Sequence, residues 1–188
     1  MEMPRRFEVG PPRRVLFIGS PGAGAARLAK LASGRFSLPL IDLAQAPRQP
    51  EATWRDDLQA LAEETDWAVA GFDAQTADIL SRRAEWLVWI DLPVSSCFSA
   101  VVREHLKARV SPQALKKPAS GKRPSLWARL RQIAHYPAEV SPRIIATIER
   151  ERRNRTIYIL RTKREVREFA ATIGSDFGGA NRLNGKLK

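Results

Sequence analysis

Val15-Leu16-Phe17-Ile18-Gly19-Ser20-Pro21-Gly22-Ala23-Gly24-Ala25-Ala26-Arg27-Leu28 is the stretch on which the fold turns. Val15 to Ile18 are apolar and β-prone, and they end at a glycine, which suits a short buried strand. From Gly24 the period changes, with Leu28, Leu31 and Ala32 on one helical face and Gly34 a plausible stop. A strand, a glycine-rich turn and a helix are the context of a phosphate-binding loop, written G-x-x-x-x-G-K-[ST]. Gly19 and Gly24 have that spacing. Glycines let the backbone curl so that successive N–H groups point into one hollow, and the helix N-terminus adds partial positive charge there. Gly19, Ser20, Pro21, Gly22, Ala23 and Gly24 supply these features without any special side chain. The side-chain half of the motif is missing. Ala25 stands where the lysine would bridge the β- and γ-phosphates, and Ala26 where a hydroxyl would ligate Mg²⁺. Arg27 and Lys30 follow at spacings that do not aim back into the loop.

Outward from this stretch, strand and helix patterns alternate. Leu38 to Leu43 reads as a second strand, followed by a proline-marked loop over 46–50. Trp54, Leu58, Leu61 and Ala62 form a helical stripe. Trp67 to Ala70 is a third strand closed by Gly71, and a helix is expected from Ala74 to Arg83. Trp86 to Asp91 is a fourth strand, stopped by Pro93. Phe98, Val101, Val102 and Leu106 give another helical face. Residues 111–125 hold three prolines and four lysine or arginine residues and read as a mobile loop or lid. A short helix is expected over Leu126–His135, and another from Pro142, in its first turn, to Arg153. Ile157 to Leu160 is a fifth strand. Val166, Phe169, Ala170 and Ile173 mark a last helix, with Gly174 just past its end. Residues 1–13 read as a flexible leader and 174–188 as a flexible tail around a single domain over 14–173, with the lid at about 108–141. Five short apolar runs between helices imply βαβ units: an α/β fold of three layers, α/β/α, around a parallel sheet. Ligands of such sheets bind at the C-terminal ends of the strands, which puts the turn after Ile18 first among candidates.

The 188 residues are 44% apolar and 28% charged, which excludes collagenous, coiled-coil and wholly disordered chains. No uncharged apolar run approaches the ~18 residues of a membrane span, and the first residues lack the apolar stretch of a secretory signal. With Cys97 the only cysteine, no intrachain disulfide can form, and a reducing, cytoplasmic setting is expected. The net charge of +12 is concentrated. Between Arg103 and Arg164 there are 17 basic and four acidic residues, whereas the rest of the chain carries 15 basic and 16 acidic ones. Such a segment suits nucleotide phosphates, a nucleic acid or another polyanion, or else serves as a solubilising surface. Trp127 and Tyr136 within it could stack on bases.

Four stretches in order resemble the adenylate-kinase-like P-loop proteins, and in particular the small bacterial DNA topology modulation proteins. They are Val15 to Leu31, Leu38 to Leu43, Arg83 to Pro93 and Leu160 to Phe169. The resemblance implies a five-stranded sheet in the order 2-3-1-4-5, a basic helical lid after the fourth strand, and ATP with Mg²⁺ as cofactors. It makes Arg103, Arg109, Arg129, Arg131 and Arg143 the candidates for surrounding a phosphoryl group. The chain also departs from this family. Ala25 and Ala26 replace Lys and Ser or Thr, Leu43-Ala44 stands for Leu-Asp, and Ala70-Gly71-Phe72-Asp73 stands for Asp-Gly-Asn-Tyr.

These residues imply a P-loop nucleotide kinase-like protein with a degraded phosphate loop, weak ATP binding and little or no phosphotransfer. One alternative is a nucleic-acid or acidic-partner binding protein that uses the basic lid. Another is an active nucleotide or small-molecule kinase whose cation has moved. Asp91 ends the fourth strand at the functional edge, where it could hold Mg²⁺ or water or cap the turn near Ser95. His105, His135 and Cys97 form no metal-ligand spacing, so no structural metal is expected.

Overall fold

The alternation of side chains along the first strand, β1 (Arg14–Gly19), decides where everything else packs. In this computed structural model, which describes residues 11–45, 51–71, 73–110, 125–153 and 155–175, Val15, Leu16, Phe17 and Ile18 are all fully buried. Val15 and Phe17 face one core and Leu16 and Ile18 the other. A strand apolar on both faces must be covered on both, which is the condition of a parallel sheet between two helical layers.

β1 lies at the centre. It pairs in parallel with β3 (Trp67–Gly71) on one side and β4 (Trp86–Ile90) on the other, with Phe17 opposite both Ala70 and Val88. β2 (Leu40–Asp42) adds to β3, and β5 (Thr156–Leu160) adds to β4, so all five strands run parallel in the order 2-3-1-4-5. Seven helices are described: α1 (Ala25–Phe36), α2 (Glu51–Glu63), α3 (Ala74–Leu80), α4 (Val94–Val110), α5 (Leu126–Glu139), α6 (Ser141–Glu151) and α7 (Lys163–Ser175). α1, α4 and α7 cover the face of Val15 and Phe17 through Leu28, Val101, Phe169 and Ile173. α2, α3 and α6 cover the opposite face through Leu58, Leu80, Ile144 and Ile148. Small residues at Ala68 and Ala70 let α1 pack down on β3. The three-layer α/β/α architecture and the strand order are those expected.

Local chemistry moved several boundaries. β2 stops at Asp42 because its carboxylate accepts the Ala44 amide at 3.1 Å, folding Leu43–Gln45 into a 3₁₀ turn. α1 runs past Gly34 and ends at Ser37, a non-glycine residue at φ 57° whose N–H reaches the Ser33 carbonyl. α3 ends at Leu80 rather than Arg83, although Asp73 caps its start with a 2.7 Å bond from the Thr76 amide. α5 continues through Pro137 to Glu139. Pro142 does sit in the first turn of α6, which ends at Glu151 rather than Arg153. α7 includes Gly174. Its start is a reciprocal capping box: Glu165 accepts the Arg161 and Thr162 amides at 2.6 and 3.2 Å, while the Thr162 hydroxyl accepts the Glu165 amide at 3.1 Å.

Arg13, read from sequence as the end of a loose leader, is held on three sides. Its guanidinium meets Asp66 at 2.7 Å, its amide donates to Glu85, and its carbonyl accepts the Trp67 amide. The leader's residues 1–10, the tail beyond 175 and the 111–124 part of the expected lid lie outside the described residues. The described part of that lid is not detached. Ile133 and Tyr136 of α5 are buried in the two cores. Trp86 packs edge-on against Phe36 and Tyr158, whose centroids lie 5.6 and 5.5 Å away, as a core residue should. Trp127, at the start of α5, is 81% exposed.

Phe17 carries the central packing. Phe17→Ala is expected to remove about 3–5 kcal/mol, measured by urea unfolding; a loss below ~1 kcal/mol would mean that β1 is not the strand on which both layers rest.

Candidate functional site

The loop between β1 and α1 is shaped by two glycines and by α4 lying against them. Gly22 and Gly24 have φ of 84° and 101°, in the left-handed region, whereas Ala23 between them does not. Alternation of this kind turns successive amides toward a common concavity. The Ala23 amide closes the turn by donating to the Ser20 carbonyl at 2.9 Å. A Cβ on Gly22 would lie 2.6 Å from the Cys97 carbonyl oxygen and 2.9 Å from Val101 Cγ2. Gly22 is therefore required both for its conformation and for its lack of a side chain. A Cβ on Gly24 would meet nothing within 4 Å, so only the φ of that residue demands glycine.

α1 begins at Ala25 with no side-chain cap and no acidic residue in its first turn. Its N-terminal amides and dipole are thus uncompensated from within the helix. Ala25 is half-buried against the core and Ala26 is exposed. Neither side chain carries charge or a hydroxyl.

Behind the loop lies a cavity of about 20 Å³, lined among others by Ser20, Asp91, Cys97, Tyr136 and Ser141. It has room for one water molecule and none for a phosphate. Burial raises the Asp91 carboxyl above its ordinary value, with Arg161 opposing that shift. Burial likewise raises the Cys97 thiol beside the Ser20 hydroxyl. It raises the Tyr136 phenol too, against a compensating contact with Trp89. Cys97 is buried.

Arg103, Arg109 and Arg131 are exposed on α4 and α5. Arg129 pairs with Glu104 at 2.7 Å and ties α5 to α4. Arg143 belongs to a different surface, along α2, α3 and α6. Arg161 acts on the Asp91 carboxylate, and Lys163 on the Cys97 thiol. Sequence reading passed over both. Their position directly after the fifth strand, at the edge where parallel sheets bind ligands, was the available signal. Among the described residues, no three His, Cys, Asp or Glu side chains cluster as a ligand set for a metal, and no helix is long and apolar enough to cross a membrane.

No family model and no curated protein matches the sequence. Solved structures do match the fold. Shikimate kinase from Acinetobacter baumannii, in complex with shikimate, superposes with a TM-score of 0.52 at 16% identity, covering 86% of this chain and 90% of that one. A sugar kinase from Janibacter sp. HTCC2649 gives 0.44 at 16% identity, over 86% and 94%. Shikimate kinase from Bacteroides thetaiotaomicron gives 0.46 at 15%, over 86% and 96%. The first of these supports the fold: the chain shares the three-layer α/β fold of that shikimate kinase. The likeness to DNA topology modulation proteins rests on the four sequence stretches alone.

Two outcomes follow from this geometry. Gly22→Ala should cost at least ~2 kcal/mol from backbone strain plus the Cys97 contact, and more than Gly24→Ala, which adds only the left-handed strain; thermal melting that ranks them the other way would show that α4 does not press on the loop. For Asp91, a raised folded-state value means that the native state holds the proton more tightly than the unfolded chain. Stability is therefore lost as pH rises from about 4, the unfolded value, through the raised one. Asp91→Asn removes that cost, so it should raise the urea midpoint at neutral pH and have no effect below about pH 4. A lower midpoint at neutral pH would mean that attraction to Arg161 outweighs burial.

Proposed function

We propose that the chain is a P-loop kinase-like protein of the kind its sequence stretches suggest, the topology modulation group. In this reading it binds nucleotide phosphate weakly through backbone amides and transfers phosphoryl groups slowly or not at all. The observation that carries this reading is the start of α1. Gly22 and Gly24 keep the curled backbone, and the helix N-terminus keeps its dipole, but the first two helical residues are Ala25 and Ala26. A lysine charge against a phosphate in a partly dry pocket is worth on the order of a few kcal/mol. Losing that together with the Mg²⁺-ligating hydroxyl removes contacts that a phosphoryl-transfer transition state depends on, at about tenfold in rate per ~1.4 kcal/mol. The acidic positions after the second and third strands are also apolar here, at Ala44 and Ala70, which leaves less to hold a metal.

A second reading keeps the scaffold and gives its basic face to a nucleic acid or an acidic partner. It is favoured by α4 and the start of α5, where Arg103, Lys107 and Arg109 are exposed beside Leu106, Val110 and Trp127. A third, an active kinase with a relocated cation, draws on Arg161 and Lys163, which act on Asp91 and Cys97.

Calorimetry separates the three. The unmodified chain is expected to bind ATP no tighter than about the millimolar range, or ~4 kcal/mol, with little dependence on Mg²⁺. Ala25→Lys with Ala26→Ser should tighten binding by about tenfold or more, the scale of the restored charge. Micromolar, Mg²⁺-dependent binding by the unmodified chain would overturn the degraded-loop reading in favour of the third. Tight, salt-sensitive binding of a short DNA duplex with no ATP binding would favour the second.

A further inference from the structure

A second surface concentrates cationic groups that the loop does not use. α3 has seven residues, whereas its neighbours α2 and α6 have 13 and 11. The short helix leaves an open trough along its outer side, with a volume of about 1210 Å³. That exceeds the roughly 300–1,000 Å³ of ordinary small-ligand pockets. No residue of Gly19–Ala26 lines it, and neither does the end of β4. It is a separate place from the phosphate loop.

Five arginines and three carboxylates line the trough. Two of the arginines are neutralised there. Arg83 meets Glu63 at 2.7 Å, and Arg150 meets Asp78 at 3.1 Å, where the Thr147 hydroxyl also donates to Asp78 at 2.6 Å. Arg55 on α2, Arg82 after α3 and Arg143 on α6 have no ion-pair partner among the described residues. Asp56 is the one carboxylate left against them. Arg155 donates to the Arg82 carbonyl and so fixes the backbone that carries that side chain.

Three uncommitted guanidiniums therefore come from three elements. Arg55 and Arg143 lie near the starts of α2 and α6, while Arg82 lies beyond the end of α3. α2 rises roughly 12 Å between Arg55 and Glu63 at 1.5 Å per residue, which sets the scale of the separation. Guanidinium forks match phosphate oxygens in geometry and stay charged. Ala60 and Ala74 also line the trough, and their short side chains leave room for the body of a ligand.

The geometry points to a binding site in this trough for an elongated small polyanion that carries two or more phosphate groups, engaged by Arg55, Arg82 and Arg143. The site goes beyond the reading of the loop and stands whether or not the loop binds ATP.

The test is calorimetric titration of the full chain with sodium tripolyphosphate, at low and at raised salt. Three variants accompany it. Arg55→Glu, Arg82→Glu and Arg143→Glu together reverse the trough charge. Arg152→Glu, Arg153→Glu and Arg167→Glu together make the same change of net charge on exposed positions elsewhere. Ala26→Glu places a carboxylate at the loop's helix N-terminus. Circular dichroism and melting confirm that each variant folds, and single Arg55→Gln and Arg143→Gln variants stand in if the triple does not. The expected result is binding weakened about tenfold or more by the trough triple, the scale of losing charge-assisted phosphate contacts, and unaffected by Ala26→Glu or the control triple. Binding abolished by Ala26→Glu but not by the trough triple would assign tripolyphosphate to the loop and overturn the proposal. Equal weakening by both triples would reduce it to bulk charge and overturn it as well. So would a short DNA duplex bound through the trough arginines while tripolyphosphate shows no heat.

Discussion

The contact between Gly22 and the Cys97 carbonyl sets the geometry of the whole functional edge. With 2.6 Å between that oxygen and a hypothetical Cβ, the backbone of the loop and the backbone of α4 touch without a side chain between them. Cys97 and Val101 are fully buried there, so α4 cannot withdraw without opening the core that Phe17 and Leu28 share. The curl of the loop is thus a product of tertiary packing as much as of glycine content. Backbone amides and a helix dipole come with the strand–turn–helix arrangement itself, whereas charge and a hydroxyl at the helix start would have to come from side chains, and Ala25 and Ala26 supply neither.

Most of the architecture was legible in the sequence because the core residues obey simple periods. Val15 to Ile18, Trp67 to Ala70 and Trp86 to Ile90 are uninterrupted apolar runs, and only strands covered on both faces read that way. The boundaries were less legible where one side chain competed for a backbone group. Asp42 shortened the second strand by capturing the Ala44 amide, and Ser37 ended α1 in a conformation that glycine ordinarily fills, past Gly34. α5 was underestimated for a related reason. Pro137 looks like a stop, but Ile133 and Tyr136 bury one on each side of the sheet and hold the helix together through it.

The site was legible in its backbone and not in its charges. A spacing of two glycines after a strand names the loop, yet no period in the sequence says which of 17 basic residues will come near it. Arg129 is committed to Glu104 and Arg143 faces another surface, while from beyond β5 Arg161 acts on Asp91 and Lys163 on Cys97. These placements follow from which strand ends neighbour one another in the sheet. Crossover order, not local composition, decides that. The same logic separates two electropositive regions, one framed by α4 and α5 and one by α2, α3 and α6, although the chain draws them from one continuous basic segment together with Arg55 and Arg82.

Arg13 gives the molecule a sidedness. Its carbonyl, amide and guanidinium join the starts of the three central strands, through Trp67, Glu85 and Asp66, and they do so at the end of the sheet opposite the glycine loop. The polypeptide therefore enters the domain at the pole farthest from its candidate site. A pull applied to the chain at Arg13 would load that clamp before the strands it joins, at the pole away from the loop.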